Sequence, residues 1–127
     1  MLPPAPLVTD TDTARALVAR LADEPGEVAA ALYLDPKWRL CGRRRFPGAA
    51  GAVGVQGRAL VEHGLAVRAR YVILAHNHPS GNPEPSDQDI AITRRLADAL
   101  QLIDMPLADH LIVTRDAITS MRERGWV

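Results

Sequence analysis

Apolar positions along the chain follow two rhythms, one of helical period and one of short continuous runs. Ala14, Leu17, Val18 and Leu21 recur at helical spacing and predict a first helix over about residues 12–22, capped by Asp10 or Thr11. Asp23-Glu24-Pro25-Gly26 stops it. Glu27 to Leu34 reads as a mostly buried strand, resting on Val28, Leu32 and Tyr33 because alanine is a poor strand former. Asp35-Pro36-Lys37 places proline second in a turn, and Trp38 to Phe46 returns as the partner strand of a hairpin. Pro47 to Gly54 is a Gly/Ala loop, either a connector or a mobile flap. A helix follows from Gly57 or Arg58 to about Ala69, with Ala59, Leu60, Leu65 and Ala66 facing inward.

The uninterrupted run Tyr71-Val72-Ile73-Leu74-Ala75 predicts a central strand covered on both faces. After Ser86 a helix extends to about Leu102, with Ile90, Leu96, Ala97, Leu100 and Ile103 as its buried stripe. Leu107 to Thr114 is a further strand, 116–124 a short helix or turn, and Trp126-Val127 pack back onto the sheet. The Pro-rich residues 1–9 are expected to be an extended, poorly ordered lead-in to one domain over 10–127.

A length of 127 residues suffices for one domain with a real core. It is too short for a (β/α)8 barrel, which needs about 200 residues or more. The net charge of zero argues against a dedicated nucleic-acid binder. The run Arg43-Arg44-Arg45 reads as a solvated edge strand or as a site for an acidic or phosphate partner. A single cysteine, Cys41, rules out an internal disulfide and a Cys-x-x-Cys metal site. No signal peptide or membrane-spanning stretch is visible, so a cytoplasmic protein is expected.

Chemistry concentrates between residues 76 and 89. His76 and His78 leave the end of the central strand two apart, and side chains at i and i+2 on an extended segment point the same way. A Gly/Pro loop then leads to Ser86-x-x-Asp89 in the first turn of the next helix. Ser86 and Asp89 read as a helix cap, with the acid favoured by the helix dipole. They read equally as the source of a third, oxygen ligand, and the two readings are compatible. Two imidazoles and one carboxylate with an open fourth position are the make-up of a catalytic zinc site. Such a site lowers the pKa of bound water from 15.7 toward about 7.

Amide hydrolysis also needs a proton shuttle and a donor for the oxyanion. Glu84, Glu62 and Glu27 are the candidate shuttles. Glu84 lies between prolines, Glu62 lies on a helix, and Glu27 begins a core strand, an odd place for a charge without a task. Ser86 is a candidate oxyanion donor. His63 reads as a surface or half-buried helix residue. Asp109-His110 reads either as a tie for a strand end or as a pair hydrogen-bonding behind the metal.

His76-x-His78-x(7)-Ser86-x-x-Asp89 resembles the JAMM motif of the JAB/MPN metalloprotease superfamily. His-Asn-His-Pro-Ser-Gly-x-x-x-Pro-Ser-x-x-Asp resembles, more narrowly, the signature of its bacterial RadC-like (DUF2466) branch. The likeness extends to Leu32–Asp35, Gly57–Leu60, Ile90–Arg94 and Asp109–Val113, over roughly residues 24–125. It implies an α/β fold, a single domain with a curved mixed β-sheet flanked by helices, similar to that of cytidine deaminases. It further implies Zn2+ held by His76, His78 and Asp89, Glu27 as general acid/base, and Ser86 stabilising the tetrahedral intermediate. Superfamily members cleave peptide or isopeptide bonds, and the RadC branch carries a DNA-repair label.

Branch members usually carry a helix-hairpin-helix region before this domain, which this chain starts too late to contain, so a link to DNA is weakened. The stretch Val28-Ala29-Ala30-Ala31 is more alanine-rich than the branch pattern. The rival expectation is a zinc-stabilised module that binds DNA or a repair protein without catalysis. A nucleobase deaminase needs His-x-Glu and Pro-Cys-x-x-Cys, and neither occurs.

Overall fold

The computed structural model describes residues 6–47 and 56–127. The apolar run Tyr71–Asn77 forms β3, the middle strand of the sheet. The other strands are β1 (Val28–Leu34), β2 (Leu40–Pro47), β4 (Leu107–Val113) and β5 (Ile118–Ser120), in the order β2-β1-β3-β4-β5 among the described residues. β3 runs antiparallel to β1, with Ala29 opposite His76, and parallel to β4, with His76 opposite Ile112. Continuous hydrophobicity suits a strand covered on both faces, and Val72 to Asn77 are all buried.

Helices cover both faces. α2 (Gly57–Ala66) and α3 (Asp87–Leu102) pack over Ala29, Ala31, Tyr33, Val72 and Leu74. On the other face α1 (Thr11–Val18), continued by a 3-10 turn over Ala19–Asp23, packs over Leu32, Leu34, Ile73, Ala75 and Leu111. Asp10 caps α1 by accepting from the Thr13 amide at 2.7 Å. The predicted α/β domain with a mixed sheet and flanking helices is therefore the one found.

Several expected details differ. α2 stops at Ala66, and Leu65 and Ala66 face outward; its inner face is Leu60 and Gly64. A Cβ at Gly64 would stand 2.7 Å from Met105 Sδ and 2.9 Å from Tyr33 Cε1. The close approach of this glycine, not the next apolar residue, sets the phase of the helix. Ile103 at the end of α3 is exposed, while Thr93 is fully buried on the inner face. Ile118–Ser120 pairs with β4 as β5 where a helix or turn was expected; turns follow at 121–125.

β2 begins at Leu40 rather than Trp38, because Trp38 takes a left-handed conformation (φ 63°) and stacks on Tyr71 with ring centroids 4.0 Å apart. The Asp35 carboxylate holds that turn through the Lys37 and Arg39 amides. Of the expected lead-in, residues 1–5 lie outside the described residues. Leu7 bridges Arg39, and Val8 is buried. The loop read as a flap, 48–54, also lies outside them.

Candidate metal centre

Strand alternation carries His76 and His78 to the face that α3 covers, and α3 returns Asp89 to the same place. The return is fixed by the helix start. Ser86 Oγ accepts from the Asp89 amide at 3.0 Å, and Asp89 Oδ2 accepts from the Ser86 amide at 2.9 Å. This is a capping box with aspartate in the place glutamate usually takes. The shorter side chain keeps its carboxylate close to the helix axis and aimed at the two imidazoles.

His76 Nε2 and His78 Nε2 are 2.9 Å apart, and Asp89 Oδ2 lies 3.5 Å from the first and 3.3 Å from the second. Tetrahedral zinc ligands at bond lengths of about 2.0–2.2 Å stand about 3.3–3.5 Å from one another. Two edges of the triangle have that length. The third is shorter.

The far nitrogens settle which atoms carry protons. His78 Nδ1 is 2.7 Å from the Asn82 carbonyl, which only accepts, so Nδ1 holds the proton and Nε2 presents a lone pair. His76 Nδ1 is 2.7 Å from His110 Nε2, and His110 Nδ1 is 2.7 Å from Thr93 Oγ1. Thr93 donates to Met121 Sδ at 3.8 Å. Its oxygen thus accepts from His110 Nδ1, His110 Nε2 accepts from His76 Nδ1, and His76 Nε2 is left as a lone pair. Two lone pairs and a carboxylate oxygen then converge with His76 fully buried and Asp89 6% exposed.

Such a set repels itself unless a positive charge sits among its members. Without an ion that charge is a proton on His76 Nε2: burial pushes the Asp89 carboxyl up, but donation from this proton and from the Ser86 amide outweighs it and holds the group well below the usual carboxylate range. Burial, then the charge His76 can carry, pushes His110 down to about 3, so His110 is a neutral relay at working pH. The donor set fits a divalent cation, and His76, His78 and Asp89 form a group that could hold a metal ion.

The other predicted residues divide. Glu27 is exposed and immediately precedes β1. Of its rivals, Glu84 is paired with Arg124 at 2.9 Å and Glu62 with Arg58 at 2.8 Å. His110 reaches the centre through His76, but Asp109 does not: its carboxylate accepts from Ser120 Oγ at 2.5 Å and from the Arg122 amide at 3.0 Å, tying β4 to the C-terminal turn. His63 lies on α2 against the Tyr33 ring, away from the cluster. Sequence reading missed Thr93, whose only signal is its place on the Asp89–Leu96–Leu100 face of α3. It also missed the Asn82 carbonyl, for which side-chain chemistry offers no signal.

A cleft of about 420 Å³ is lined by Asn77, His78, Ser80, Glu24 and Arg115 among others, and meets the cluster only at His78. Among the described residues, no helix is long and apolar enough to cross a membrane.

Comparison with known proteins agrees with the geometry. The RadC-like JAB domain family matches residues 7–126. A UPF0758 protein of Thioalkalivibrio sulfidiphilus is 48% identical over 120 residues, covering 94% of this chain and 53% of that protein. One from Bordetella avium is 46% identical over 115 residues, covering 89% and 51%. One from Vibrio cholerae is 43% identical over 117 residues, covering 91% and 73%. The chain spans about half the length of the first two of these relatives. It belongs to the RadC-like JAB domain family.

Proposed function

We propose that this domain is a zinc-dependent hydrolase of peptide or isopeptide bonds, in which His76, His78 and Asp89 hold the ion and Glu27 moves the proton. The observation that carries the reading is the convergence of His76 Nε2, His78 Nε2 and Asp89 Oδ2 within 3.5 Å, with both Nδ1 atoms committed elsewhere. When bound, zinc acidifies water toward a pKa of about 7 and polarises a carbonyl.

Register supports the choice of Glu27. The β1–β3 ladder ends with Ala29 opposite His76, and the same register continued two places would set Glu27 in the row of His78. Glu27 shares the parity of Ala29 and Ala31, which lie on the α2/α3 face with the cluster. Its carboxylate has no hydrogen-bond or ion-pair partner among the described residues. There it takes a proton from the attacking water and returns it to the leaving amine. Ser86 Oγ accepts from Asp89 and retains its own proton, which is free to be donated to the developing oxyanion.

The second reading is a non-catalytic, zinc-stabilised module that binds DNA, and the exposed run Arg43–Arg45 favours it. Arg43, however, donates to the Leu17 carbonyl and Arg45 pairs with Glu24 at 2.5 Å, which ties two of the three to the fold.

Zinc-loaded wild type and Glu27→Gln, screened on peptide and isopeptide-linked probes, test the reading. The variant is expected to keep its metal and lose about a hundredfold or more in turnover. Turnover by Glu27→Gln at the wild-type rate removes Glu27 from the mechanism. Salt-dependent DNA binding without any hydrolysis favours the second reading.

A further inference from the structure

The residue between the two histidines has no part in holding an ion. Alternation along β3 turns Asn77 to the face opposite His76 and His78, where it is 1% exposed. Its carboxamide offers one acceptor oxygen and two N–H donors, and all are used on a distant segment. Oδ1 accepts from the Val28 amide at 2.6 Å, and Nδ2 donates to the Gly26 carbonyl at 2.9 Å and the Glu24 carbonyl at 3.3 Å. The β1–β3 ladder ends at the Ala29–His76 pair, and the His78 amide goes to the Val113 carbonyl of β4 instead. Beyond that pair, the Asn77 side chain replaces the main chain as the link between β3 and the segment leading into β1.

Glu27 lies inside that segment, exposed and with no partner of its own among the described residues. Where its carboxylate sits therefore depends on the residues on either side, Gly26 and Val28, and both are held by Asn77. We infer that Asn77 is a positioning residue that fixes the Glu24–Val28 segment, and with it Glu27, beside the metal centre. The inference rests on the proposed role of Glu27. It explains why an amide stands here: aspartate lacks the two donors, and an apolar side chain would leave the Val28 amide and the Gly26 carbonyl without partners.

The test uses the whole chain as wild type, Asn77→Ala and Asn77→Asp, each titrated with cobalt(II) as the probe ion. Three quantities are read: cobalt affinity, amide exchange over residues 24–28, and the cobalt-induced shift of the Glu27 side-chain carboxyl carbon. Asn77→Asp keeps the bond to the Val28 amide and remains informative if Asn77→Ala fails to fold.

The variants are expected to bind cobalt like the wild type and to open the segment about tenfold or more, the equivalent of losing one or two net hydrogen bonds. They are also expected to lose most of the cobalt-induced shift at Glu27. That last loss separates positioning from general stabilisation, which would leave Glu27 in place in every folded molecule. A shift at Glu27 unchanged in both variants, with cobalt bound, overturns the inference and leaves the proposed function standing. Failure of the wild type to bind cobalt overturns the proposed function, and the inference with it.

Discussion

Replacing Thr93 with Val exchanges for a methyl group one hydroxyl that bonds none of the three candidate ligands. Thr93 is fully buried, and its oxygen accepts from His110 Nδ1 at 2.7 Å. The substitution leaves that N–H buried without a partner, which costs about 1–3 kcal/mol. The proton can avoid the cost by moving to His110 Nε2, but Nε2 faces His76 Nδ1 at 2.7 Å, where a second proton cannot fit. His76 must then carry its proton on Nε2, and the lone pair that faces His78 and Asp89 is lost.

The first route lowers stability and keeps the lone pair; the second weakens the centre. Loss of a group behind a metal ligand lowers affinity by about 10–100-fold, which is about 1.4–2.8 kcal/mol. Competition with a chromophoric chelator measures this, with Thr93→Ser as the control that keeps the hydroxyl. Zinc affinity of Thr93→Val within twofold of the wild type, with stability to denaturant also unchanged, refutes the proton chain from Thr93 to His76.

Other outcomes follow from the same geometry. Gly64→Ala puts a methyl group 2.7 Å from Met105 Sδ and 2.9 Å from Tyr33 Cε1, and should cost about 1–3 kcal/mol in chemical denaturation without changing metal affinity. In the metal-free protein, His110 is held at about 3 by burial, while an unfolded histidine titrates near 6.5. Between those values the unfolded chain binds a proton that the native chain does not, so stability is lost as pH falls from about 6.5 toward 3. The depressed Asp89 carboxyl acts in the same direction: its contribution is present above about 4 and is lost as pH falls below it. Denaturation series across that range check both, and a flat profile contradicts the burial of His110.

The His76–His78–Asp89 cluster was legible in the chain because each part has a local cause. The apolar run ending in His76 and His78 encodes a covered strand, and Ser86-x-x-Asp89 encodes a helix start. Together they fix where the three side chains point before any long-range contact is known. What was not legible depends on neighbours far away in sequence. Leu65 looks like a core residue by type, yet Met105 and Tyr33 close on Gly64 and rotate α2 so that Leu65 faces water. Thr93 looks like a surface residue by type, yet it is fully buried on the inner face of α3, where its oxygen accepts from His110 on β4.

Asp109 and His110 could not be separated by inspection. They point to opposite faces of β4, and only the register with β3 says which face holds the cluster. β5 is three residues long and stands as a strand because the Thr114–Ala117 turn brings it against β4.

Metal content of wild type and His78→Ala, purified without chelator and measured by elemental analysis beside a folding check, tests the centre most directly. The wild type should carry about one zinc per chain, and the variant should lose it while keeping its fold. Wild-type protein that takes up no divalent ion even when zinc is added back contradicts the account.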